Sequence, residues 1–205
     1  MIQTLEPLVN ATRIERLQRV LAGRLENVTV VMDAPHDPHN GAAVLRSCDA
    51  FGVQRVHVVT RRESFKIARR VTQGAEQWVD VITHPTPEAA IRTLHSAGYR
   101  LIASHPEGEL LPEQLAAVPR VALVLGNEHD GICQGLYAAA HSTVRIPMRG
   151  FAESLNVSVS AAILLAAAGA RPGDLEAAQK RLLYARWLHH SLTRASDILA
   201  AAEPR

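Results

Sequence analysis

Apolar and polar positions along this chain switch repeatedly between two periods. Over residues 12–25, TRIERLQRVLAGRL, Ile14, Leu17, Val20 and Leu21 recur at helical spacing with arginines on the other side, which predicts an amphipathic helix. NVTVVMDAP then reads as a buried strand stopping at a turn, and the period is helical again from Asn40 through Ala50, up to Gly52. VQRVHVVT supplies the next strand. The alternation repeats, with a helix over TPEAAIRTLHSA, Gly98 as its C-cap, and strands at YRLIAS, RVALVLG and STVRIP. Strands interleaved with helices predict an α/β fold, a mostly parallel sheet covered by helices on both faces. Ligand sites in such sheets lie at the carboxyl ends of the strands.

One stretch gives two answers. Between Ser154 and Ser160 the alternation is that of a strand, yet Ala161 onward runs into AAILLAAAGA, whose alanine content demands a helix. Beyond it, Pro172-Gly173 breaks the chain before LEAAQKRLLYARWLHHSLTRASDILAAA, which predicts one peripheral helix. The resulting organisation is a basic helical extension at 1–26, a central domain at 27–171 and a helical tail at 172–205.

Composition narrows the class. With 205 residues, 47% hydrophobic and 20% charged, the chain can bury one substantial core. No run approaches the roughly 18 to 20 apolar residues of a membrane span, and no basic segment followed by an apolar one opens the chain. A cytoplasmic protein with no membrane partner is the expectation. Cys48 and Cys133 are the only cysteines, which argues against a disulfide framework and against a metal site. Net charge is only +2, but its distribution is uneven: Arg61, Arg62, Lys66, Arg69 and Arg70 stand together after a predicted strand, against a single Glu63. Such a cluster can neutralise several phosphates.

Candidate chemistry sits in three segments that each follow a predicted strand: PHDPHNGAAVLR (35–46), LGNEHDG (125–131) and IPMRGFAESLN (146–156). Singly they are ordinary, since Asn40, Ser154 or Asn156 can serve as N-caps worth about 1 kcal/mol. His36, Asp37 and His39 lack a closing pair of metal ligands. No G-x-S-x-G, Walker A or G-x-G-x-x-G pattern occurs, so the common hydrolase, phosphate-loop and dinucleotide fingerprints are excluded.

In this order, however, PHNGAAVLRSCDAFGV, LVLGNEHDGI and IPMRGFAESLNVSVSAAILL resemble the three signature motifs of the SPOUT-class RNA ribose 2′-O-methyltransferases of the TrmH family, from about Arg13 to Arg171. QGAEQWV (73–79) is similar to the corresponding segment of the enzymes acting on guanosine 18 of tRNA, as are the short basic helix before the first strand and the short helical tail. The resemblance implies a C-terminal deep trefoil knot, an exception to the rule against knotted chains. It also implies a homodimer, S-adenosyl-L-methionine as methyl donor, no metal, and tRNA rather than DNA as partner. Carried over by position, Arg46 is the catalytic arginine, and Asn40, Glu128, Ser154 and Asn156 shape the site. Ser104, Gly126, Ile146 and Leu155 would hold the donor. RNA binding falls to Arg13, Arg16, Arg61, Arg62, Lys66, Arg69 and Arg70, with Arg19, Lys180, Arg181, Arg186 and Arg194 in support. The chain departs from the family pattern at His129 and Asp130, where the tRNA enzymes carry a basic or aromatic pair, and at Glu153, where they carry glutamine. A ribosomal RNA ribose, another tRNA position and a non-catalytic RNA-binding role are the alternative readings.

Overall fold

Short apolar runs pair into one sheet, and its central strands β1 (Val28–Asp33) and β5 (Val121–Leu125) are buried at every position. The strands are β1 (Val28–Asp33), β2 (Arg55–Val59), β3 (Asp80–His84), β4 (Arg100–Ser104), β5 (Val121–Leu125) and β6 (Ser142–Val144). They lie in the order β3-β2-β1-β5-β4-β6, and every pairing is parallel. This computed structural model describes residues 1–61, 65, 68–127 and 129–202, with only the backbone of Arg69; residues 62–64, 66, 67, 128 and 203–205 lie outside the description. The helices are α1 (Ile2–Leu5), α2 (Ala11–Ala22), α3 (Pro38–Ala50), α4 (Arg69–Thr72), α5 (Pro87–Ser96), α6 (Gln134–Ala138), α7 (Val157–Ala168), α8 (Ala177–His190) and α9 (Ala195–Ala202). The chain divides into two compact units, Leu25–Pro172 and the pair of terminal segments Met1–Arg24 with Gly173–Arg205.

Side chains alternate across the sheet of the central unit. On one face Val28, Val30, Met32, Leu123 and Leu125 join Val44, Leu45 and Cys48 of α3 and Leu164 and Leu165 of α7. On the other face Val31, Ala122 and Val124 join Ala90 and Leu94 of α5 and Leu136 of α6. Helices therefore cover both faces, as the periodicity predicts. Strand order switches between β1 and β5, the first three strands being laid down to one side and the later ones to the other, which opens a crevice at their carboxyl ends.

Four local expectations need correction. α3 begins at Pro38, capped by Asp37, whose carboxylate accepts from the His39 amide at 2.8 Å; Asn40 lies inside the first turn and is not its cap. α5 ends at Ser96 with Ala97 as its C-cap; Gly98 lies one residue beyond at φ +76°, and the Tyr99 amide closes back on the Leu94 carbonyl at 3.0 Å. β3 was not anticipated. The strand-like alternation at 154–160 becomes the first turn of α7, where Asn156 is the N-cap and accepts from the Ser158 amide at 2.8 Å.

In the terminal unit, the single predicted tail helix is two, α8 and α9, separated at Ser191 to Arg194. Leu17 and Leu21 of α2 and Leu183, Trp187 and Leu188 of α8 are buried there. The buried Arg24 guanidinium stacks 5.2 Å from the Trp187 ring. A side chain at Gly173 would collide with the backbone of Ala22 and Gly23, so glycine is required where the tail turns back.

Candidate active site

The carboxyl ends of β4, β5 and β6 open into a cleft of about 200 Å³. Ser104 ends β4, Gly126 follows β5, and Ile146 follows β6. With Ser154 and Leu155, which precede α7, all of them line this cleft. Ile132, Val144 and Val157 add apolar wall, and His105 and Glu153 add titratable groups. His105 is fixed by its Nδ1, which accepts from the Glu107 amide at 3.1 Å. The floor is tight: a side chain at Gly126 would meet the backbone of Gly131 and Ile132, so backbone alone fits there. Residues 105–110 run beside the exit of β6, with the Leu110 amide donating to the Thr143 carbonyl and the Arg145 amide to the Leu110 carbonyl.

A smaller pocket adjoins the cleft at the β1–β5 crevice, lined by Asp33, Asn40, Gly41, Gly126 and Asn127 among others. Here the first and third motifs meet: Asn156 Nδ2 donates to Asn40 Oδ1 at 3.0 Å. Asn127 folds the second motif, its side-chain oxygen accepting from the amides of His129 and Asp130 at 3.0 and 2.7 Å. Glu128, the candidate carboxylate of that motif, lies outside the described residues. Arg46 is exposed on α3 and does not line the cleft.

Beneath this crevice lies a network that sequence reasoning missed. The Asp33 carboxylate is fully buried. It accepts from Arg61 Nε at 3.1 Å, from Arg61 Nη2 at 2.7 Å and from the Cys133 amide at 2.7 Å. That hydrogen bond raises the pKa of Arg61, while burial, and secondarily Asp33, pushes the Cys133 thiol up and keeps it neutral. The sequence signal was an aspartate ending an apolar strand with an arginine just past the neighbouring strand.

The family model described as the SpoU rRNA Methylase family matches residues 27–166. The chain belongs to the SpoU methylase family. Among SpoU relatives, the tRNA (guanosine(18)-2'-O)-methyltransferase of Escherichia coli K12 is 34% identical over 158 residues, covering 77% of this chain and 69% of that protein. The Aquifex aeolicus TrmH/SpoU tRNA modifying enzyme superposes with a TM-score of 0.79 at 26% identity, over 89% of this chain and 98% of that one. An AdoMet-bound rRNA methyltransferase from Sinorhizobium meliloti superposes with a TM-score of 0.64 at 28% identity, over 72% of this chain and 57% of its own.

The structure treats the basic residues of this SpoU methylase unequally. Arg16 and Arg70 are exposed, Arg13 is half-buried with Nε 3.3 Å from Ser191 Oγ, and Arg61 is committed to Asp33. The pairing offsets the Arg61 charge that the sequence reading assigned to phosphate. Arg62 and Lys66 lie outside the described residues, as does the Arg69 side chain. Among the described residues, no group of three His, Cys, Asp or Glu side chains is arranged to hold a metal, and no helix is long and apolar enough to cross a membrane.

Proposed function

We propose that this protein transfers a methyl group from S-adenosylmethionine to a ribose 2′-hydroxyl of tRNA, that of guanosine 18. The reading is carried by the convergence of Ser104, Gly126, Ile146, Ser154 and Leu155 on one cleft beside the Asn40–Asn156 contact, in a chain of this family. The cleft suits such a donor. Ile132, Val144, Ile146, Leu155 and Val157 offer apolar wall to a flat base, and Ser104, Ser154 and main chain offer polar contacts. Among the described residues that line it, Glu153 is a carboxylate and none is lysine or arginine, which favours a cationic sulfonium.

Bound there, the donor supplies an activated methyl group. The protein's own residues have two tasks, to align the 2′-hydroxyl for in-line displacement and to stabilise the charge that develops on its oxygen. The Asn40–Asn156 pair fixes the border between the cleft and the crevice. Arg46 is assigned to the developing alkoxide. Its service is to orient the hydroxyl and to stabilise by charge, through a planar fork of N–H donors.

The same reading includes a homodimer, a cytoplasmic location, and threading of the C-terminal part of the sheet as a deep trefoil knot. The dimer is supported by α7, which buries Ala161, Leu164, Leu165 and Ala168 yet leaves Val159 and Ile163 exposed, an apolar stripe that a second copy would cover. Threading is supported by the hydrogen bonds that lay residues 105–110 against residues 143–145. The test is to incubate purified protein with labelled donor and either total tRNA or ribosomal RNA, then map the methylated nucleotide. Label at guanosine 18 of tRNA is expected. Label confined to ribosomal RNA would favour the second reading, which the family description and the Sinorhizobium meliloti neighbour support.

A further inference from the structure

Phe151 is fully exposed, at 108% of its reference surface, a state folding alone does not favour for so large an apolar ring. It stands in the run 147–154, exposed throughout, with Arg149 two residues away and Gly150 meeting nothing within 4 Å of where a side chain would start. Both ends of this run are anchored in the cleft, Met148 on one side and Glu153, Ser154 and Leu155 on the other. Phe151 is thus carried on a short loop that leaves the cleft wall and returns to it.

A ribose whose 2′-hydroxyl enters that cleft brings its own base to the cleft mouth. For sequence-specific recognition of RNA, such a base is taken out of its stack and held against an aromatic ring or a guanidinium plane. We infer that Phe151 is the platform on which the base of the target nucleotide stacks, with Arg149 beside it for the adjoining phosphate. This rests on the proposed ribose methylation. The exposed stripe of α7 is the surface assigned to the second copy; Phe151 lies outside that helix, in the loop that borders the reacting groups.

The experiment compares Phe151→Ala, Phe151→Leu and Phe151→Trp in methyl transfer to a tRNA transcript, with donor affinity by calorimetry and mass by light scattering. Base–aromatic stacking of the usual strength corresponds to a loss of about 5- to 150-fold in kcat/KM for RNA. That loss is expected in the alanine and leucine variants, with recovery in tryptophan and with donor affinity and mass unchanged. Leucine restoring the rate, alanine leaving it intact, or a fall in mass would each overturn the inference, the last by assigning Phe151 to the interface between copies. Wild-type protein that labels no ribose would overturn the proposed function and the platform with it. Wild-type activity matched by all three variants would overturn the platform alone.

Discussion

Removing the charge of Arg61 should cost more stability than removing that of Asp33, although both changes break the same pair. The asymmetry follows from burial: the Asp33 side chain is 0% exposed and that of Arg61 31%. In Asp33→Asn the guanidinium can turn to water, and the remaining side-chain oxygen still accepts from the Cys133 amide, so about 1–2 kcal/mol is expected. In Arg61→Met the carboxylate stays buried with the Cys133 amide as its remaining partner in the network, the situation that costs about 3–5 kcal/mol elsewhere. Urea titration of each variant measures this, with the m-value checked for constancy. The double variant should be more stable than Arg61→Met alone, because the stranded charge is gone. An Arg61→Met cost equal to or below that of Asp33→Asn would refute the reasoning.

Three further outcomes are expected. Burial, then His84 and Arg55, lowers the pKa of His57 to about 4, so the unfolded chain takes up protons first; stability is full above pH 6.5 and lost between there and about 4, by about 3 kcal/mol, which chemical denaturation across that range would reveal. Asn156→Ala should lose about 1 kcal/mol of cap energy together with turnover, whereas Asn156→Asp keeps an acceptor for the Ser158 amide but cannot donate to Asn40, so a thermal melt should be preserved while turnover falls. Arg46→Ala and Arg46→Lys should each lower methyl transfer by about 100-fold or more with donor binding unchanged, and near-normal turnover in both would remove Arg46 from the chemistry.

The buried strands were legible because hydrophobicity is what makes them central: β1, β2, β4 and β5 are valine- and leucine-rich runs covered on both faces. β3 was not, since it is an edge strand whose Asp80, Thr83 and His84 dilute the apolar signal, and His84 is matched only across the sheet, its Nε2 2.8 Å from His57 Nδ1. α3 began earlier than its apolar pattern because Pro38 suits a first turn and Asp37 satisfies a free amide, cues of local geometry rather than periodicity. The tail looked continuous because nothing in SLTR is a strong breaker. At the site, motif order identified the residues that meet in the cleft, but the commitment of Arg61 to Asp33 was invisible, because it joins positions that only the parallel register brings together.

The central β1–β5 pairing sets Val28 beside Val121, so in a chain synthesised from its N-terminus the middle of the sheet stays open until β5 has emerged. High contact order of this kind slows folding. Until β5 emerges, β1 offers an open edge of Val28, Val30, Val31 and Met32, the kind of edge that recruits other chains. Nascent protein is therefore most exposed to aggregation while residues 34–120 are being added, and chains truncated just before Val121 should precipitate where those ending after Pro172 remain dispersed.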